Sequence, residues 1–313
     1  MAKATWDWEG RIGRRVKLRD IHVLSAVVRS GSMAKAASHL AMSQSAVSES
    51  IASLEDALRV RLLDRSSQGI KPTIYADVLL KRGNVVFDEL SQAIKDIEFL
   101  ANPTAGEVRV ACPEFFTAGL LPAVIDRLSA RYPQIAVRVV NLNTEVPDYP
   151  ELQERRADLA LRRVPAPYKG DEVDIEVLFD DPQFVVAGAR SRWAQRSDIT
   201  LAELASEPWI LPYSLEVEDV IGRAFESIGL KPPTAAVSAF SILLRIQLLA
   251  TGRFLSVLAS SVLQNNAERW QIKALPIELP KPPPAAVITL KNRTLSPVAQ
   301  LFIEQLRAVT KSM

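Results

Sequence analysis

Three helical patterns that follow one another with almost no chain between them constrain this fold more than any other feature. Apolar side chains recur at helical spacing within residues 18–58, and only residues 30–32 and 41–42 separate the three patterns. Ala36 and Ala37 give the second helix a small face that permits close contact with its neighbours. The sequence therefore predicts a compact helix-turn-helix unit.

The third helix is predicted to enter the major groove of DNA. Its apolar side chains recur at spacings of four, three and four residues and should face inward, while its first turns carry polar side chains on the opposite side. Such side chains can approach base edges. A solvated helix face is the alternative, and the helix-turn-helix context favours base contact. The residues predicted to bind DNA here are Ser43, Gln44, Ser45, Ser48 and Glu49.

Positive charge is concentrated at this end of the chain. Residues 1–72 carry a net charge of +5, whereas the whole chain carries +2. Residues 60–72 are too few for another long helix, and a small polar turn within them predicts a two-stranded wing. Positive side chains on this wing and at the helix ends would meet phosphates. The predicted backbone contacts are Ser32, Lys35, Arg65 and Lys71. For Ser32 and Lys35, an ordinary helix cap and a surface lysine are the alternative.

A long amphipathic helix follows the wing. Thr73 caps a pattern that runs to about Leu100, with apolar residues at heptad spacing and Gly83 interrupting the apolar seam. Charged residues flank this seam, so the helix is predicted to pack along the same helix of a second copy. Residues 102–106 end it and are typical of a hinge.

Beyond this hinge, short strands alternate with helices. Such alternation predicts an α/β sheet domain. The predicted strands cover residues 107–111, 135–140, 157–161, 183–187, 254–258 and 286–291, and the predicted helices cover residues 117–131, 150–156, 218–228, 241–251 and 296–309.

Composition excludes several classes of protein. No apolar run is long enough to span a bilayer, and the polar start lacks the apolar stretch of a signal peptide, so we expect a cytoplasmic protein without membrane contact. The single cysteine, Cys112, rules out an internal disulfide, and a core role is favoured over a redox switch. His22 and His39 have no further ligand at suitable spacing, so no metal site is predicted. We also expect no cofactor.

The stretch from Ser32 to Thr73 closely resembles the DNA-binding head of the LysR-type transcriptional regulators. In the head, the resemblance rests on Ala36-Ala37, Leu40, Ser43-Gln44, Ser48, Leu54-Glu55, Leu58, Leu62 and Arg65. It extends over nearly the whole chain through Leu120-Leu121-Pro122, Tyr132-Pro133, Ala157-Asp158-Leu159-Ala160 and Ser296-Pro297.

This sequence departs from the family pattern at several positions. Glu49 stands where relatives often carry arginine, and a carboxylate repels phosphate but can accept a hydrogen bond from cytosine N4. We therefore expect an operator that differs from those of typical relatives. The other departures are Ser45 for proline, Arg59 for glycine, Leu63 for phenylalanine and Ala76 for glycine.

The resemblance also implies a domain organisation. The last part of the chain would be an effector-binding domain of two α/β subdomains, like a periplasmic binding protein, with the effector in the cleft between them. Members of the family commonly assemble as tetramers, so a homodimer or homotetramer is expected. The implied segments are an extension at 1–17, the winged helix-turn-helix at 18–72, the linker and dimerisation helix at 73–102, and the effector domain at 106–313, with subdomain I at about 106–181 and 291–313 and subdomain II at about 182–290.

Candidate effector contacts lie where strands of the predicted sheets end, because ligands of open α/β sheets collect there. Thr117 could bind an anion at a helix start, and Arg162, placed directly after a strand, could pair a carboxylate ligand. Core packing, helix capping and an exposed salt bridge are the alternatives. The candidates are Phe115, Phe116, Thr117, Asn143, Thr144, Arg162, Tyr213, Ser238 and Ser241.

These observations predict a ligand-responsive, sequence-specific transcriptional regulator whose partners are double-stranded DNA and a small effector, for which a carboxylate is one candidate. A small-molecule receptor or transport component would need export. An enzyme would need a phosphate loop, a nucleophile elbow or a histidine base, and the sensor sequence has none of these. We hypothesise that the effector closes the cleft and, through the linker helices, changes the spacing of the DNA-binding heads.

Overall fold

The computed structural model of the chain divides into two compact units, residues 1–91 and residues 92–313. Most of the predicted N-terminal extension lies outside the described residues, and so do the side chains of residues 65–66 and 215–219. The structure describes residues 15–66, 69–142, 149–167, 171–212, 215–264, 266–311 and 313.

The first unit opens with the three predicted helices, which are α1 (Leu18–Ser30), α2 (Met33–His39) and α3 (Gln44–Leu58). Helix α1 ends where Gly31 takes the left-handed conformation, with φ at 64°. The side chains of Ser32 and Ser43 accept backbone N–H groups in the first turns of α2 and α3. Small-residue turns and serine caps therefore separate the helices as predicted.

These helices enclose an apolar core against the start of a long fourth helix, α4 (Ile74–Ala101). Leu24, Ile51 and Leu54 are fully buried in this core. Gly83 of α4 lies against Ile21 of α1, because a Cβ atom on this glycine would come within 2.7 Å of the Ile21 Cγ2 atom. The sequence placed Gly83 as an interruption of an apolar seam, and the structure gives it the role of a close helix contact.

The predicted wing is present as an antiparallel hairpin of β1 (Leu63–Ser66) and β2 (Gly69–Pro72). Glu55 of α3 fixes its start, since the Oε1 atom accepts the backbone N–H groups of Leu62 at 2.7 Å and of Leu63 at 3.3 Å. Leu62 precedes β1 and Leu63 is its first residue. Both are buried, so their backbone N–H groups need a hydrogen-bond partner. The glutamate of the family motif therefore joins the wing to the third helix.

Arg59 ends α3 in the left-handed conformation, with φ at 55° and ψ at 32°. Glycine, which the resembling family commonly has here, adopts this conformation without a Cβ penalty. We expect Arg59→Gly to raise the free energy of unfolding of the first unit by about 1 kcal/mol. Urea denaturation followed by circular dichroism measures this change. Arg59→Ala keeps the Cβ atom, so this control should not become more stable. A lower free energy of unfolding in Arg59→Gly would show that the left-handed conformation of Arg59 is not strained.

In the described part of the chain, the second unit contains two five-stranded sheets. Their strands are β3 (Ala105–Cys112), β4 (Gln134–Asn141), β5 (Leu159–Arg163), β6 (Val173–Phe179), β7 (Gln183–Gly188), β8 (Trp209–Leu211), β9 (Ala235–Ser238), β10 (Leu255–Ala259), β11 (Ile272–Ala274) and β12 (Ala285–Leu290). The strand orders are β4-β3-β5-β12-β6 and β11-β7-β10-β8-β9. Strands β3, β4 and β5 run parallel, as do β8, β9 and β10, so crossover segments connect them.

Helices cover the sheets, and each sheet has its own buried core. Phe116 and Phe302 are fully buried against the first sheet, and Trp209 and Phe225 against the second. The predicted α/β class is confirmed. The helices are α5 (Glu114–Gly119), α6 (Leu121–Arg131), α7 (Pro150–Gln153), α8 (Leu215–Glu226), α9 (Ile242–Leu249), α10 (Ser260–Gln264) and α11 (Pro297–Thr310), with short 3-10 turns at Arg192–Gln195 and Leu201–Leu204.

The predicted subdomain boundary at residue 290 is wrong. Strand β12 pairs antiparallel with both β5 and β6 and so belongs to the first sheet, which means that the chain returns to the first subdomain before Ala285. The strand is buried and apolar, and an apolar run of this kind has the same appearance in either sheet.

Several predicted bounds also shift. Strand β5 begins and ends two residues later than predicted, so it contains Arg162, and α7 ends at Gln153. The single helix predicted for residues 117–131 is two helices, α5 and α6. Strands β6, β8, β9 and β11 were not predicted.

A buried cluster of charges holds β3 to the segment before β5. The Asp158 carboxylate accepts the backbone N–H and the Nη2 of Arg109, both at 2.7 Å, and the Nη2 of Arg293 at 2.8 Å. Burial raises the pKa of Asp158, but the two guanidinium groups outweigh this effect and hold the pKa below its ordinary value. The aspartate of the Ala-Asp-Leu-Ala motif is thus a structural residue.

Acid should therefore weaken the second unit through Asp158. Because its pKa is lower in the folded state than in the unfolded chain, the ionised group stabilises the fold above the unfolded pKa, and this stabilisation is lost as the pH falls through the folded pKa. We expect Asp158→Asn to lower the free energy of unfolding by about 3 kcal/mol at neutral pH and to flatten its acid dependence. Urea denaturation over a pH series measures both effects.

The matched control for this experiment is Asp180→Asn, which removes an exposed carboxylate that pairs with Lys281 on the surface. This variant should retain the parent's stability and acid profile within about 0.5 kcal/mol. Identical profiles for Asp158→Asn and the parent would show that the buried cluster does not control acid stability.

Candidate DNA-binding surface and effector cleft

The first turn of α3 presents polar side chains to solvent. Gln44, Ser45 and Glu49 are exposed and Ser48 is half-buried, while Val47 behind them is fully buried. The Ser43 hydroxyl accepts the Ala46 N–H at 3.1 Å and lies 2.9 Å from the Ser45 hydroxyl. Ser43 is therefore engaged as the helix cap, and the other predicted residues form the accessible face.

The predicted phosphate contacts lie on α2 and on the wing. Lys35 and Lys71 are exposed, and Ser32 is a half-buried cap whose hydroxyl accepts the Lys35 N–H at 3.5 Å. The Arg65 side chain lies outside the described residues. Helix N-termini and lysine side chains are the groups that commonly hold phosphate oxygens.

In the second unit, α5 follows the carboxyl end of β3 and packs on elements of both subdomains. Phe115 contacts the apolar cores of both sheets, and the Arg163 guanidinium lies 5.1 Å from the centre of its ring. The Thr117 hydroxyl donates to the Glu114 carbonyl at 2.6 Å. Phe116, also predicted to bind the effector, is fully buried in the first core and presents no surface to a ligand.

The other predicted effector residues have mixed placements. Arg162 is half-buried inside β5, with its guanidinium 5.6 Å from the centre of the Tyr149 ring. Ser238 is exposed at the end of β9, and the exposed Ser241 caps α9 by accepting the Leu244 N–H at 3.3 Å. Asn143, Thr144 and Tyr213 lie outside the described residues.

A buried ion pair at the crossing between the subdomains was not predicted. The side chains of Arg163 and Asp181 are 1% and 0% exposed, and the Arg163 Nη2 lies 3.0 Å from Asp181 Oδ2. Asp181 in turn accepts the backbone N–H and the hydroxyl of Ser261, both at 2.9 Å. The sequence signal for this pair is the charge of Arg163 at the end of an apolar strand. Its partner Asp181 lies 18 residues further along the chain, and a pair at that separation leaves no periodic pattern.

Another buried cation, Arg245, lies in the second subdomain. Its Nε and Nη2 atoms donate to the Ser256 hydroxyl at 3.2 and 3.1 Å, and Nη2 also donates to the Val257 carbonyl. Burial lowers the pKa of Arg245 to about 10, and the negative charge of Glu114 partly opposes this effect. A single arginine in the apolar run of α9 was the signal that sequence reasoning missed.

Cys112 at the end of β3 is buried, and this burial raises the pKa of its thiol to about 12. Because the thiolate is the reactive form, such a thiol is poorly suited to oxidation at neutral pH. Among the described residues, no cluster of three or more metal-ligating side chains occurs, and no described helix has the length and apolar character to cross a membrane.

An exposed polar helix face on a winged helix-turn-helix unit and a second unit of paired α/β sheets define a DNA-binding regulator with a ligand-sensing domain. The chain belongs to the LysR family of bacterial regulators, because residues 18–76 match the family model described as "Bacterial regulatory helix-turn-helix protein, lysR family" and residues 101–311 match the "LysR substrate binding domain". It is a ligand-responsive, sequence-specific DNA-binding transcriptional regulator, as predicted.

Relatives support this assignment over most of the chain. The transcriptional regulator GbpR of Azospirillum brasilense is 24% identical over 95% of this chain and 87% of its own length. CysL of Bacillus subtilis is 28% identical over 80% of this chain and 83% of its own. The full-length structure of CbnR complexed with its target DNA has a similar fold, with a TM-score of 0.66, 20% identity, and coverage of 94% of this chain and all of that one.

Proposed function

We propose that α3 reads the operator and that its neighbours hold the DNA backbone. The observation that carries this proposal is that the first turn of α3 exposes polar side chains, while Val47 on its opposite side is fully buried. Base contacts would come from Gln44, Ser45, Ser48 and Glu49, of which Glu49 suits a cytosine N4 donor. Backbone contacts would come from Ser32, Lys35, Ser43, Arg65 and Lys71.

Substitutions on α3 should remove preference for the operator without removing DNA binding. We expect Gln44→Ala and Ser48→Ala each to lower the preference for the upstream DNA of its own gene over random DNA by about 1 to 2 kcal/mol. Lys71→Ala should instead weaken binding to both DNAs alike and reduce the salt slope by about 1. Fluorescence anisotropy across a salt series measures these quantities.

The matched controls for the DNA measurement are Gln300→Ala and Ser129→Ala, which remove the same side chains from exposed positions in the second unit. Both should bind as the parent does. Equal losses of affinity for upstream and random DNA in Gln44→Ala would mean that this residue contacts the backbone and that another part of the head reads the sequence.

We further propose that a small effector binds between the two subdomains, beyond the carboxyl ends of the parallel strands. Open α/β sheets hold ligands in this region. Among the described residues, Phe115, Thr117 and Arg162 would form one wall, and Ser238 and Ser241 the other. Asn143, Thr144 and Tyr213 are proposed from the sequence alone, and a carboxylate group that pairs with Arg162 suits this set best.

Self-association through α4 is also proposed. Its apolar side chains remain exposed in the single chain: Leu90 is 46%, Ile94 58% and Ile97 66% exposed. A solvated chain rarely leaves such a continuous stripe uncovered, and heptad spacing suits a second α4. Leu79, which the sequence placed in this stripe, packs instead against the core of the first unit.

Charges on the exposed stripe of α4 should prevent this association. We expect the double variant Leu90→Lys with Ile97→Lys to sediment as a monomer at concentrations at which the parent is a dimer or tetramer, because lysine cannot be buried there without a partner. Analytical ultracentrifugation measures the mass. Asn84→Lys with Ser91→Lys adds the same charge to the opposite face and should assemble normally. Parent-like assembly of the first variant would place the interface elsewhere.

We propose no enzymatic activity and no cofactor for this protein. The relatives are named as transcriptional regulators, and the second unit has no histidine to serve as a base. Because its binding partner is chromosomal DNA, we expect it to act in the cytoplasm.

A further inference from the structure

Two of the polar contacts that join the two subdomains of the second unit differ in burial. At the first place, the Arg163–Asp181 pair is buried and also reaches both crossing segments: Arg163 Nη1 donates to the Asp181 carbonyl at 2.8 Å and to the Pro283 carbonyl at 3.3 Å. Asp181 accepts two hydrogen bonds from Ser261 of α10. These four residues are named the pivot cluster.

The second place is a hydrogen bond across the cleft, at the opposite end of α5. The Glu114 Oε1 atom, on α5 of the first subdomain, accepts the backbone N–H of Ile242 at 2.9 Å, at the start of α9 in the second subdomain. Glu114 is only half-buried. Its side chain lies at the positive end of a helix, and its negative charge attracts the buried guanidinium of Arg245. This contact is named the latch.

Helix α5 connects these two places. Glu114 is its first residue and Gly119 its last. Gly119 packs so closely on α10 that a Cβ atom here would come within 2.7 Å of the Ser261 Oγ and 2.8 Å of the Ser261 carbonyl carbon. The neighbouring Ala118 carbonyl accepts the Asn266 Nδ2 at 3.3 Å. One end of α5 is therefore fixed beside the pivot cluster, and the other end holds the latch.

We propose that Glu114 makes the releasable contact of the effector domain. The pivot cluster is the fixed axis about which the subdomains turn when the hydrogen bond between Glu114 and Ile242 breaks. This inference rests on the proposed binding of an effector in the cleft. A buried ion pair resists separation because each charge would be left without its partner, whereas a half-buried carboxylate can exchange its one backbone donor for water. Movement therefore begins at the Glu114 end of α5.

Amide hydrogen exchange of α9 tests the latch directly and needs neither DNA nor effector. In Glu114→Ala, the Ile242 N–H loses its acceptor and should exchange about tenfold faster than in the parent. The Leu244 N–H keeps its bond to the Ser241 hydroxyl and provides an internal reference. Glu114→Gln retains an acceptor oxygen without the charge, so its exchange should be intermediate.

The control variant is Glu176→Ala, which removes a bidentate bond to Arg307 within the first subdomain at 2.7 Å and leaves the cleft intact. Its Ile242 exchange should equal that of the parent. Exchange in Glu114→Ala that stays within about twofold of the parent would overturn the proposal. A fast rate in Glu114→Ala with a parent-like rate in Glu114→Gln would support a latch held by the hydrogen bond alone.

A distance measurement tests the pivot. Spin labels on Glu154→Cys of the first subdomain and Glu268→Cys of the second report their separation by double electron–electron resonance, since the buried Cys112 thiol should not react with the label. We expect the Glu114→Ala background to give a longer or broader distribution than the parent, while the folded state persists. An unchanged distance distribution would show that the subdomains do not rotate about the pivot cluster, whatever the outcome of DNA-binding experiments.

Discussion

A buried ion pair between Arg163 and Asp181 holds together the part of this protein that senses ligand. One guanidinium bonds to both crossing segments, and one carboxylate bonds to the helix that begins beside them, so the two sheets share a common axis. Removing either partner would leave the other charged and buried, which is strongly destabilising. The cleft, the placement of α5 and the cross-cleft contact of Glu114 all depend on this axis.

The head could be predicted from the sequence in nearly all its elements. Its helices are defined by local rules: apolar spacing, serine caps and a glycine stop, each of which acts within a few residues. The exposed face of α3 follows from the same spacing, because residues opposite Val47 and Ile51 must point outward. The close helix contact of Gly83 was not predicted, because it depends on Ile21, which lies more than sixty residues away in the chain.

The effector domain was predictable as a class and much less so in its sites. Strand β12 was assigned to the wrong subdomain because a buried apolar strand carries no mark of its partners. The role of Glu114 depends on a contact across the cleft, and the role of Arg245 depends on hydrogen bonds to β10 of its own subdomain. No periodic pattern in the sequence records either of them. Phe116, by contrast, has the ordinary fate of an aromatic residue near a strand end, burial in the core.

The proposed mechanism requires that the state of the effector domain controls the contacts of the head with DNA. The most direct test is a nuclease footprint on the upstream DNA of its own gene with the parent and with Glu114→Ala, in the absence of any added ligand. We expect the protected region to change in length or spacing in Glu114→Ala, although this residue lies outside the DNA-binding unit. Identical footprints, at equal occupancy and with the cleft contact shown to be released, would contradict it.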